Sequence, residues 1–141
     1  MEFTEFFEAL DESEFSETPV PLEEFLYSKD FMGIPPLSDI QFEIVRRGSQ
    51  IYLEDTLIRL YGVEQGRKLW KENAKELILA VGKGSGKDYS SQLICCYIVY
   101  QLLCLKDPAG YYGKPAGDNI DIVNVAREAR QANSVFFSGL K

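Results

Sequence analysis

Histidine is absent from the 141 residues, and cysteine occurs only at Cys95, Cys96 and Cys104, all on one apolar run. Without a CxxC spacing or an imidazole there is no tetrahedral donor set for zinc. The three thiols therefore read as small core residues of a reducing compartment rather than as ligands or disulfides. Long hydrophobic runs are also lacking. The greasiest stretch, LICCYIVYQLLCL from Leu93 to Leu105, is 13 residues and contains Gln101, short of the roughly 20 that a membrane span needs. A secretory leader is not expected either, because MEFTEFFEALDESEF is acidic where such a signal starts basic and continues apolar. Internal repeats and low-complexity tracts are missing, and 45% apolar residues over this length suit one domain with a core.

Positive charge is scarce, but unevenly so. The net charge of −7 is concentrated in residues 1–30, where ten acids face the single base Lys29, leaving residues 31–141 at about +2. That balance lacks the basic stripe of a strong autonomous nucleic-acid binder. The first 20 residues alternate aromatic and acidic side chains, Phe3, Phe6, Phe7 and Phe15 among glutamates, and read as a loosely attached, solvated arm or one that orders on a partner. The organisation expected is an arm with helical segments over 1–34, followed over 35–141 by the leading portion of a second unit.

What is present is a succession of helix signals that changes period at Glu76. PLEEFLYSKDFMG predicts a helix over 21–33 that stops near Gly33, before Pro35 and Pro36. In LSDIQFEIVRRG, Ser38 and Gln41 have capping-box spacing, and Leu37, Ile40, Ile44 and Val45 form an apolar stripe. EDTLIRLYGVEQGRKLWKENAKE is helical in pattern, broken at Gly62, with Leu57, Leu60, Tyr61, Leu69 and Trp70 facing inward. ELILAV (76–81) then reads as a strand buried on both faces, and DNIDIVNVA (118–126) as a second. With the apolar helix as crossover they make a βαβ unit.

Between the first strand and that helix lies GKGSGKD: Gly82, Lys83, Gly84, Ser85, Gly86, Lys87 and Asp88. Strand, glycine loop, helix is the order of a phosphate-binding loop. Glycines let backbone N–H groups turn inward around an anion, the following helix points its positive end at the phosphates, and Lys87 reaches the β and γ oxygens. Two positions depart from the usual pattern. Val81 replaces the first glycine, which is harmless if Gly82 and Gly84 carry the turn. Asp88 stands where Ser or Thr normally holds Mg²⁺. A carboxylate beside phosphates repels bare nucleotide, yet it is the stronger Mg²⁺ ligand. Its bland reading is an acid stabilised by the helix dipole. Lys83 has the equally bland reading of a solvated loop lysine, Gln41 of a capping partner, and Arg46, Arg47, Arg127 and Arg130 of surface charges.

These stretches resemble the N-terminal part of the ATPase domain of large terminase subunits, the DNA-packaging motors of tailed bacteriophages. PLSDIQFEIVRR looks like that family's adenine-side element, with Gln41 as the glutamine that reads the base. AVGKGSGKD is similar to its Walker A loop, including the Asp88 form, with Lys83 in the place of a frequent basic residue. IDIVNVAREARQANSVFF, with Gln131 and Phe136, looks like its second strand and following segment. The resemblance covers about residues 35–141 and implies an α/β, P-loop NTPase-type parallel sheet with flanking helices. It implies ATP and Mg²⁺ as cofactors, Lys87 as the catalytic residue and Asp88 as the metal ligand. It further implies a homo-oligomeric ring in the host cytoplasm, free of membrane, that works on double-stranded DNA with a portal protein and a small terminase subunit. The acidic strand end that orients water for hydrolysis does not follow before Lys141, so the chain is expected to be the leading part of a longer protein and to hydrolyse little alone. Two other classes stay open: another phosphate-loop phosphotransferase, and a non-catalytic interaction module in which the glycine loop is only a turn.

Overall fold

The computed structural model describes residues 15–78, 87–115, 117–123 and 125. Along it run helices α1 (Leu22–Tyr27), α2 (Asp39–Ser49), α3 (Glu54–Tyr61), α4 (Val63–Glu72), α5 (Lys87–Cys104) and α6 (Pro108–Tyr111).

Helix α1 ends sooner than its pattern predicts. Ser28 is extended, and its hydroxyl accepts from the N–H of Asp30 at 3.3 Å, a local alternative to the helical ladder. The chain then folds back on α1, Met32 N donating to Phe25 O and Ile34 N to Leu26 O, through Gly33 at φ +58°. Helix α2 starts where expected: Ser38 Oγ accepts from Gln41 N and Gln41 Oε1 from Ser38 N, both at 3.2 Å. Its buried stripe differs from the one expected. Ile40 is 75% exposed, whereas Val45 and Ser49 are buried and Phe42 packs against the core. The face is set by 42, 45 and 49, because the Phe42 ring brings more apolar area to the core than Ile40.

Helices α3 and α4 are separated at Gly62, whose φ of +91° few side chains tolerate. They cross so closely that a Cβ on Gly66 would lie 2.6 Å from Ile58 Cα. Leu57 is fully buried, with Leu60, Tyr61, Leu69 and Trp70 packed around the same cluster.

Helix α5 is apolar on most sides and belongs to two cores at once. Near its middle, Leu93 and Tyr97 pack with Leu22, Phe25 and Leu26 of α1 and Val45 of α2. At its end, Cys104 and Leu105 pack with Phe15, Tyr52 and Leu57. Burial pushes all three cysteine thiols up, which suits packing rather than reactivity. Gln101 is fully buried: Nε2 donates to Ser49 O at 2.6 Å and to Tyr97 O at 3.2 Å, while its main-chain carbonyl accepts from Tyr52 Oη at 2.7 Å. No helix among the described residues is long and apolar enough to cross a membrane.

One expectation is corrected. The end of the acidic arm is not loosely attached: Phe15 is 1% exposed and bridges Leu105, Ser16 N donates to Cys104 O at 2.8 Å, and Val20 is held between the hydroxyls of Tyr97 and Tyr100. Among the described residues no strand ladder forms; 76–78 and 118–123 are unpaired, and the remainder of both expected strands lies outside the described residues except Val125. A buried parallel strand needs cover on both faces, and Ile78 and Val123 are 80% and 77% exposed.

Candidate functional site

The sequence places the anion cradle at Gly82–Gly86, which lie outside the described residues, as do Arg127, Arg130, Gln131 and Phe136. What is described is the helix that follows the loop. Helix α5 runs from Lys87, the last residue of GKGSGK and the first one described beyond 79–86, to Cys104. Asp88 lies in its first turn and is exposed. An exposed carboxylate at a helix N-terminus suits a site for Mg²⁺-bound phosphate, since metal bridges two anionic groups that would otherwise repel. Among the described residues no group of three or more acidic or cysteine side chains gathers around a common point.

The shoulders of the loop are braced by α2. A Cβ at Gly48 would come within 3.0 Å of both Leu77 Cδ2, on the segment entering the loop, and Ile94 Cδ1, on the helix leaving it. Glycine thus lets α2 approach both flanks. The far end of α5 is fixed by Gln101 and Tyr52, so the helix behind the loop is anchored at its middle and its end.

Gln41 is half-buried at the opening of α2, and its capping role is realised. The capping bond uses one lone pair of Oε1, so it leaves the amide able to meet a further partner. Gln41→Glu separates the two roles. Glutamate closes the same capping box but offers no N–H, so the melting temperature is expected to stay within a degree or two while preference for ATP over GTP falls about tenfold, the worth of one good hydrogen bond. Unchanged preference in competition binding would leave Gln41 a cap alone.

Arg46, expected at the surface, is an ion-pair hub. It pairs with Glu43 on its own helix and reaches Glu72 Oε2 on α4 at 2.7 Å, while Arg47 also engages Glu43 at 2.8 Å. The two guanidiniums, Arg46 first, hold the Glu43 carboxyl down at about 2. No periodicity argument finds such a contact, because Glu72 is far away in sequence.

A glycine-rich stretch of sequence followed at once by a lysine and an acid that lie on a long helix is the pattern of the P-loop class. The match of a family model over residues 3–141 agrees: the chain belongs to the family described as "Uncharacterized protein MJ0330, N-terminal P-loop domain". No curated protein and no solved structure matches it.

Proposed function

We propose that this P-loop domain binds a nucleoside triphosphate with Mg²⁺ at Gly82–Asp88, and that it serves as the ATP-binding leading part of a DNA-packaging motor of the terminase type. The single observation that carries the nucleotide reading is the match to a P-loop domain over residues 3–141, with Lys87 and Asp88 on α5 directly after the glycine-rich stretch. Loop amides and Lys87 grip the β and γ phosphates, Asp88 holds the metal directly or through a bound water, and Gln41 reads the base. Mg²⁺ when bound neutralises charge on the phosphates, as phosphoryl transfer requires. The motor assignment is supported by the likeness of PLSDIQFEIVRR, AVGKGSGKD and IDIVNVAREARQANSVFF to terminase motifs. In it, double-stranded DNA is contacted by a ring of subunits docked on a portal, which suits a body near neutral charge.

The test is calorimetric titration of ATP with Mg²⁺ and with EDTA into the chain and into Asp88→Ala. Loss of the carboxylate is expected to weaken Mg·ATP about tenfold or more and to leave metal-free ATP unchanged or slightly tighter, since a repulsive charge is gone. If both forms of ATP respond alike, Asp88 is not the metal's ligand.

A further inference from the structure

Away from the loop, α1, α2 and α4 frame a pocket of about 250 Å³ that the nucleotide reading does not use. Its accessible apolar wall is made by half-buried Phe42, Tyr61 and Leu69, and it is edged by the exposed side chains of Glu23 and Gln65. No cation pairs with Glu23 among the described residues. Its carboxylate acts on the same wall: burial first, and Glu23 in addition, pushes the Tyr61 hydroxyl up. The hydroxyl itself is engaged by Tyr97, so Tyr61 offers a ligand its ring. The cation in the wall, Arg46, is held between Glu43 and Glu72, and Arg47 shares Glu43. Those two arginines and two glutamates cancel, so Glu23 leaves the surround negative.

An aromatic ring is negative on its face, so a cation within about 6 Å of it is attracted, the more so where water is partly excluded. A carboxylate at the edge adds to that attraction and repels an anion. A primary ammonium needs acceptors for three N–H groups, which a wall of Phe42, Tyr61 and Leu69 does not supply. A methylated ammonium presents apolar methyls in their place. We infer that this pocket binds a small methylated ammonium ion, its methyls against Phe42, Tyr61 and Leu69 and its charge balanced by Glu23. The space is below that of a drug-sized site and suits a ligand of few heavy atoms. The proposal does not rest on the phosphate loop.

The probe is choline, with the uncharged alcohol in which carbon replaces its nitrogen as a control of the same shape. Each is titrated into the full chain while the Phe42 and Tyr61 ring signals are followed by NMR. Choline is expected to shift these signals saturably in the millimolar range, as a few-atom ligand should, and the alcohol about tenfold more weakly. Glu23→Gln should weaken choline about fivefold, and at Gln65 the sign should follow the charge, Gln65→Glu tightening and Gln65→Lys loosening binding about threefold each. Phe42→Leu should cost about tenfold; if it fails to fold, the variants at exposed Glu23 and Gln65, with circular dichroism as the check on folding, decide the matter. Phosphatidylcholine vesicles carry the same group on a lipid and should not sediment the chain. Absence of saturable shifts, equal affinity for the alcohol, full binding by Glu23→Gln, or sedimentation with vesicles that Glu23→Gln abolishes each overturns the proposal.

Discussion

Replacing Lys87 by alanine is expected to weaken Mg·ATP about one-hundredfold while the melting temperature holds or rises slightly. The two halves of this result have one cause. A helix carries roughly half a positive charge at its N-terminus, so a lysine at the N-terminal end of α5 is opposed by the dipole, at a cost of a few tenths of a kcal/mol. Folding alone would favour Asp, Glu or Ser there. An anion in the preceding loop reverses the sign, since a charge-assisted bond to phosphate contributes about 3 kcal/mol, or two orders of magnitude in affinity. Calorimetry for binding and a thermal melt for folding separate the terms. Equal affinities for the chain and the variant would remove the phosphate site, and the motor reading with it.

The locally determined features could be read from the sequence. The Ser38–Gln41 box, the break at Gly62 and the packing role of the cysteines each depend on a few neighbouring residues. Features decided across the chain could not. Of the stripe expected on α2, Val45 is buried and Leu37 packs on the core but Ile40 is exposed, because the face a helix buries is chosen by what opposes it, and α1 and α5 take Phe42 in its place. Arg46 looked like one of two surface charges until α4 brought Glu72 beside it. Gln101 stood out only as a blemish in an apolar run; its work on Ser49 and Tyr52 spans about 50 residues. At the candidate site, the order of glycines, lysine and acid is legible in the chain, and the structure adds that Lys87 and Asp88 belong to a long helix and that α2 packs against it through Gly48.

The largest loss of stability is expected from Phe15→Ala, at a position whose surroundings in sequence mark it as part of a solvated arm. Its ring is 1% exposed and meets the Tyr52 ring edge-on at 5.4 Å, against Leu57, Cys104 and Leu105 in the same cluster. Truncating a fully buried phenylalanine costs about 3–5 kcal/mol, since transfer energy is lost and a cavity remains; this is a large share of the 5–15 kcal/mol typical of a domain. The Phe15 backbone also bridges Leu105, and Ser16 caps a carbonyl at the end of α5, so loss of the ring should loosen the strap that ties residues 15–20 across α5. Urea denaturation followed by tyrosine and tryptophan fluorescence measures the change. Ile40→Ala, at an exposed site, should cost less than about 0.5 kcal/mol in the same assay. A loss at Phe15 no larger than at Ile40 would return this segment to the status of an arm. Should the difference appear as expected, removal of residues 1–20 would unfold the body on which the phosphate loop depends, and any loss of nucleotide binding in such a truncation would report folding rather than a role for the arm at the site.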